Sequence, residues 1–171
     1  MKNKAVKFLL STFQIIIDFC ILLFILGALM VSLMAGEAII ANSPDAVNWF
    51  ASANPIIQVS ELIDGVILCV LVIIMAFGIR NIIDNINNEQ YFVPQNLTAI
   101  RKILGSATII FIIQTLNSTI FTLLQLKDVN NLFTLRGNEL ASAITFIIIL
   151  FLVYLVFKRG LSLQKDADSI I

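Results

Sequence analysis

The stretch LASAITFIIILFLVYLVF, residues 140–157, decides the fold, because it runs for 18 residues without a charged side chain. An α-helix of this length rises about 27 Å, close to the roughly 30 Å hydrocarbon thickness of a bilayer. A soluble core does not need an uninterrupted apolar run of this length. The stretch therefore predicts a transmembrane helix.

Three more apolar runs precede it, at residues 8–34, 62–79 and 103–124. The three prolines of the chain all lie between the runs, so none predicts a kink inside a helix. The sequence therefore predicts one all-α domain over residues 1–171. It is expected to be a polytopic membrane protein with four transmembrane helices in an antiparallel bundle.

The composition agrees with this class and excludes several functions. The chain has 171 residues, of which 59% are hydrophobic and 13% are charged, and its mean hydropathy is +0.98. Its net charge is zero, so no basic excess favours direct binding of nucleic acid. It contains no histidine, and its two cysteines, Cys20 and Cys69, lie inside apolar runs. We therefore expect no enzymatic activity, no catalytic residues, no cofactor and no metal site.

The basic residues predict the orientation in the membrane. Four crossings place both termini on one side, together with nine of the eleven Lys and Arg residues. Only Lys127 and Arg136 fall on the other side. Because cytoplasmic segments are enriched in Lys and Arg, both termini are expected to be cytoplasmic, in a multi-pass protein of the bacterial cell membrane.

A polar cluster is predicted inside the membrane. Asp18 lies ten residues into the first run, which places it about 15 Å deep, near the midplane, with Gln14 one turn earlier on the same face. No Lys, Arg or His lies within any run, so Asp18 is expected to be protonated or to be satisfied by polar groups or a cation. Gln114 and Asn117 of the third run lie at a matching depth and are the predicted partners of Asp18. Polar contacts between helices explain the cluster structurally, and a proton- or ligand-responsive cavity is the functional alternative.

Two cytoplasmic segments carry further motifs. The connector between the second and third runs, residues 80–102, has the isoleucine spacing of an amphipathic helix and contains the sequence EQYFVPQNLTAIRK at residues 89–102. The chain ends in FKRGLSLQKDADSII, residues 157–171. Asn96 is a candidate N-cap of the third helix, and Phe92 is a candidate anchor at the membrane interface.

With four spans, these two segments resemble the bacterial four-helix membrane family catalogued as domain of unknown function 2975. The resemblance covers nearly the whole chain. It implies that the cytoplasmic motif residues are Phe92, Asn96, Arg159, Gly160 and Gln164. The family has no established enzymatic activity or cofactor. Its members are often encoded beside a small Cro-type helix-turn-helix regulator, which implies a cytoplasmic DNA-binding partner.

Three functions therefore compete. The first is a regulatory or sensory membrane protein that binds a cytoplasmic helix-turn-helix transcription regulator. The second is a bacteriocin immunity or membrane-stress protection protein, and the third is a small transporter or channel subunit that uses Asp18. Membrane lipid is a partner in each case, and the sequence also allows a homo-oligomer. The first function is the one that the cytoplasmic motifs favour.

Overall fold

The computed structural model describes residues 4–41, 55–124, 135 and 137–168, and the fold is given for these residues. They form four long helices and no strand. The helices are α1 (Lys4–Ala41), α2 (Pro55–Asn87), α3 (Pro94–Leu123) and α4 (Gly137–Asp168). Each predicted apolar run lies in one helix, and all four helices are long and apolar enough to cross a membrane. The all-α prediction and the four membrane-spanning candidates are therefore confirmed for the described residues.

The helices extend beyond the apolar runs on the connector side. Helix α2 continues past residue 79 to Asn87, as the amphipathic isoleucine spacing predicts. Helix α3 begins at Pro94, nine residues before its apolar run, because proline is compatible with the first helical position. The connector is therefore mostly helical, and only residues 88–93 form the turn between α2 and α3.

Each helix packs mainly against the next one along the chain. Helix α1 lies against α2, α2 against α3, and α3 against α4. Between α1 and α2, Asp18 contacts Arg80 and Gln14 contacts Asp84. Residue numbers therefore rise along α2 as they fall along α1.

The seam between α2 and α3 follows a seven-residue repeat. Asn85 contacts Asn96, and Gly78 lies against Ile103, seven residues further along each helix. A further fourteen residues on, Asn117 contacts Asp64. Steps of seven residues keep one stripe of each helix facing the other, as in a coiled coil. The buried residues of α3 are Asn96, Ala99, Ile100, Ile103, Ser106, Ala107 and Phe121.

The outer faces of α1 and α4 are apolar and open. Phe19 and Leu29 on α1 and Ile148 and Leu152 on α4 are all more than half exposed. In the most hydrophobic window of α4, no residue is buried by the rest of the described structure. Lipid tails are as apolar as these side chains, so such surfaces are typical of helices that contact a bilayer.

Candidate functional site

Asn96 holds the turn between α2 and α3 together. Its side chain is fully buried, and its Nδ2 donates hydrogen bonds to the backbone carbonyls of Gln90 (3.0 Å) and Tyr91 (2.8 Å). Its Oδ1 accepts a hydrogen bond of 2.6 Å from Nδ2 of Asn85. One amide therefore joins the end of α2, the turn and the start of α3.

The expected capping role of Asn96 is wrong. The N-cap of α3 is Val93, whose backbone is extended and whose side chain makes no capping hydrogen bond. Asn96 lies three residues further on, at the third helical position, and its side chain turns back toward the preceding carbonyls instead of toward the free amides of its own helix. Because Pro94 at the first position has no N–H, one of the usual targets of a cap is already missing.

Phe92, at the end of the same turn, packs on α4. Its ring centroid lies 5.7 Å from that of Phe157, in a tilted arrangement that is favourable for aromatic pairs. A Cβ atom added to Gly160 would overlap the ring of Phe92, so the ring occupies the space that a side chain would need. Glycine at position 160 therefore has a specific role: it makes room for Phe92.

A shallow recess of about 430 Å³ lies beside this contact. It is lined by Phe92, Leu155, Val156, Arg159, Gly160 and Leu163. The side chains of Arg159, Leu163 and Gln164 are exposed. The structure thus brings Phe92, Arg159 and Gly160 together, with Asn96 holding the turn that carries Phe92. Gln164 lies one turn beyond Gly160 on α4. We call Phe92, Asn96, Arg159, Gly160 and Gln164 together the connector–tail surface.

Helices α3 and α4 also meet through a charged residue near this surface. The guanidinium carbon of Arg101 lies 6.0 Å from the centre of the Tyr154 ring, within the range of a cation–π contact. Tyr154 lies one turn before Phe157 on α4. The contact therefore continues the packing of α3 on α4 from Phe92 toward the apolar run.

The predicted intramembrane cluster is not one cluster. Asp18 faces α2, where its Oδ1 lies 2.6 Å from Nε of Arg80. The contact is an ion pair by distance, without the alignment of a hydrogen bond, and both side chains are partly exposed, at 47% and 37%. Because Arg80 directly follows the apolar run of α2, Asp18 is level with the end of that run. This contact contradicts the expectation that no basic residue compensates Asp18.

The other members of the predicted cluster lie in separate places. Nε2 of Gln14 donates a hydrogen bond of 2.8 Å to Oδ1 of Asp84 on α2. Nδ2 of Asn117 donates one of 2.7 Å to Oδ2 of Asp64, also on α2. Gln114 lines a small recess of about 130 Å³ between α2, α3 and α4. Helix α2 therefore separates the polar residues of α1 from those of α3, so the expected Asp18–Asn117 pairing is wrong.

Sequence reasoning missed the residues of α2 that make these contacts, namely Asp64, Arg80, Asp84 and Asn85. A signal was present, because Arg80 and Asp84 are four residues apart and so are Gln14 and Asp18. On two neighbouring antiparallel helices, side chains that are four residues apart on each helix can lie opposite one another and form two contacts. Pairing by depth alone placed Asp18 opposite α3 and overlooked the helix that follows it in the chain.

The described residues do not bring three His, Cys, Asp or Glu side chains together in a way that would hold a metal ion. Comparison with protein-family models, with curated proteins and with solved structures finds no match to this chain.

Proposed function

We propose that this is a multi-pass protein of the bacterial cell membrane, with four helices in an antiparallel bundle and both termini in the cytoplasm. The charges support this arrangement. Asp18 and Glu37, Glu61 and Arg80, and Glu139 and Lys158 each bracket one helix segment, 19 residues apart. At 1.5 Å per residue each pair spans about 28 Å, the thickness of a hydrocarbon core.

The contacts between helices support the same boundaries. Asp18 and Arg80 lie side by side, as expected if both mark the cytoplasmic boundary. Nine of eleven basic residues fall on that side of the four spans. The connector–tail surface is on this side as well, so in this orientation it faces the cytoplasm.

The proposed function is that of a regulatory or sensory membrane protein that docks a cytoplasmic helix-turn-helix regulator on the connector–tail surface. The observation that carries the proposal is the contact of Phe92 with Gly160, which joins the two motif segments into one surface. Contacts between lipid-embedded helices do not require such an arrangement outside the apolar runs. The regulator as partner follows from the resemblance to the four-helix membrane family.

The chemistry of the surface suits a protein partner. Phe92 and the adjoining Leu163 of the recess offer apolar area, and Arg159 and Gln164 offer donors beside it. Aromatic residues and arginine are the side chains that most often dominate binding energy at protein interfaces. Asn96 fixes the turn, so less conformational entropy is lost when a partner docks.

Of the alternatives, the transporter or channel subunit has lost its main support. That function needed Asp18 as an uncompensated acid inside the membrane, and Asp18 is paired with Arg80. The immunity or stress-protection function depends on the segment between α1 and α2, which lies outside the described residues. No contact within the described residues favours it over the regulatory function.

Topology is tested by cysteine labelling in a variant that lacks Cys20 and Cys69. Asn138→Cys, at the start of α4, should react with a membrane-impermeant maleimide added to intact cells. Gln164→Cys, near the end of α4, should react only after the membrane is opened. The reverse pattern would place the connector–tail surface outside the cell and overturn the proposal.

Docking is tested with the purified chain in nanodiscs and any helix-turn-helix regulator that is found encoded beside its gene. Truncation after Gly160 keeps all four apolar runs and should abolish binding, and Arg159→Gln should weaken it about tenfold. Lys158→Gln, which removes a neighbouring charge outside the recess, is the matched control and should change the affinity less than twofold. Unchanged binding by the truncated chain would refute the assignment.

A further inference from the structure

A second, larger groove lies between α2 and α3, apart from the connector–tail surface. Its volume is about 590 Å³. From α2 it is lined by Ile74, Phe77, Gly78 and Asn81, and from α3 by Pro94, Gln95, Thr98, Ala99 and Lys102. None of these residues belongs to the surface proposed to dock the regulator.

The floor of the groove is formed where small residues bring the two helices together. Gly78 and Ala99 are both buried. A Cβ atom on Gly78 would lie 2.8 Å from Cγ1 of Ile103 and 3.3 Å from the carbonyl oxygen of Ala99, so only glycine fits without displacement. Because neither residue has a large side chain, the groove above them stays open.

The lining changes from apolar to polar along the groove. Ile74 and Phe77 lie within the apolar run of α2, whereas Asn81 and Gln95 lie beyond the apolar runs of their helices. Lys102 directly precedes the apolar run of α3 and therefore sits at the boundary. A molecule that filled the groove would contact apolar side chains at one end and hydrogen-bond donors at the other.

The charged groups that line the groove are positive only. Among the residues that the structure describes, Lys102 is the one charged residue in its lining, and no acid lines it. Within the part of the chain that the structure describes, Lys102 forms no ion pair, in contrast to Arg80 on α2, which contacts Asp18 on α1. The ammonium group at the groove is thus available to an anion.

We propose that this groove binds an anionic phospholipid of the surrounding membrane. An acyl chain would lie along Ile74 and Phe77, and the phosphate would be held by Lys102, with Asn81 and Gln95 as hydrogen-bond donors. Basic pockets between transmembrane helices on the cytoplasmic side are suited to such headgroups. A soluble anion would use the polar end and leave the apolar end unfilled, so the lining matches a lipid better than a free phosphate.

This inference depends on membrane insertion and not on the regulator. Lipid binding can therefore fail while docking succeeds, and the reverse. The two proposals also use different residues, so their variants do not overlap apart from the shared control, Lys158→Gln.

The test measures lipids retained by the purified chain. The protein is placed in nanodiscs that contain phosphatidylcholine and a minority of phosphatidylglycerol. It is then released and analysed by native mass spectrometry. The parent chain should retain phosphatidylglycerol in preference to phosphatidylcholine. Lys102→Gln should lower that preference about fivefold, the effect of one basic residue near an anionic lipid. Thr98→Phe, which fills the groove from an exposed position, should reduce the retention of both lipids.

Lys158→Gln is the matched control, because Lys158 lies at the same predicted boundary on α4 and does not line the groove. It should leave the lipid preference unchanged. If Lys158→Gln lowered the preference as much as Lys102→Gln, general attraction at the interface would explain the binding and the site would be refuted. Displacement of the lipid by millimolar glycerol phosphate would show a headgroup site without an acyl subsite, and displacement by the regulator would show that a protein occupies the groove. Either result would overturn the proposal.

Discussion

The two ends of the α2–α3 pair use the same kind of polar contact in different ways. At the connector end, Asn96 is fully buried and bonds both Asn85 and the backbone of the turn. At the far end, Asn117 bonds the carboxylate of Asp64 at a half-buried position. A fully buried amide that bonds three partners is hard to replace, whereas a half-buried side-chain pair can exchange its partner for water. The comparison indicates that the connector end, where Asn96 joins α2, the turn and α3, is the more firmly held of the two ends. We call this end the corner.

The largest expected effect comes from breaking that corner. Asn96→Leu would leave the carbonyls of Gln90 and Tyr91 and the amide of Asn85 without their partner. Each buried polar group left unsatisfied costs about 1–3 kcal/mol, and partial hydration of the turn reduces the sum. We expect the free energy of unfolding to fall by about 2–4 kcal/mol, measured by denaturation in mixed micelles.

The far end provides the control for this experiment. Asn117→Leu removes a half-buried contact at the equivalent position of the seam and should lower the free energy of unfolding by about 1 kcal/mol or less. Equal losses for the two variants would show that the ends are alike and that Asn96 has no special role.

The second prediction concerns the attachment of the corner to α4. Gly160→Ala would place a Cβ atom in the ring of Phe92, so the ring must leave its position. Overpacking of this kind costs about 1–3 kcal/mol in the free energy of unfolding. Combining it with Phe92→Ala removes the clash, so the double variant should be no less stable than Phe92→Ala alone in the same micelle assay.

A glycine in open space serves as the reference for that substitution. Gly27 on α1 has nothing within 4 Å of an added Cβ atom, so Gly27→Ala should be neutral or stabilising by up to about 1 kcal/mol. If Gly160→Ala behaved like Gly27→Ala, Phe92 would not be seated on α4 and the connector–tail surface would not exist as a unit.

The third prediction tests the middle of the seam. Gly78→Ala would place a Cβ atom 2.8 Å from Cγ1 of Ile103, so this side chain must move aside and the loss should be about 1 kcal/mol. Gly105→Ala on α3, where nothing lies near an added Cβ atom, is the control and should not destabilise. A loss that persists when Ile103→Ala is added would mean that the helix backbones, and not this side chain, are in contact.

The sequence predicted the helices well and the contacts between them poorly. The length and apolar content of the four runs are local properties, so they identify the helices without knowledge of packing. The depth of a residue in the membrane can also be estimated from its position within its own apolar run. That depth does not reveal which helix is its neighbour. Asp18 and Gln114 have similar predicted depths, yet α2 lies between their helices.

The role of Asn96 shows a second limit. Its position just after Pro94 is compatible with a cap, and the sequence alone could not show that its side chain points back to the carbonyls of Gln90 and Tyr91. That direction depends on the path of residues 88–93, where Glu89 has a positive φ of 64°. Turn geometry of this kind is set by the packing of the two helices as much as by the turn residues.

The smallest expected effect is at the α1–α2 contact, which lies outside the α2–α3 seam. Asp18 and Arg80 are partly exposed, and ion pairs of this kind contribute about 0–1 kcal/mol because solvent screens both charges. Asp18→Asn should therefore lower the free energy of unfolding by less than about 1 kcal/mol, and Arg80→Gln by a similar amount. Since the two residues share one contact, the double variant should lose no more than either single variant. Gln14→Ala removes the neighbouring hydrogen bond to Asp84 and should cost a similar amount, about 1 kcal/mol or less, so it compares the two contacts of this interface. A loss above about 2 kcal/mol for Asp18→Asn alone, not reproduced by Arg80→Gln, would show that Asp18 is held by groups other than Arg80.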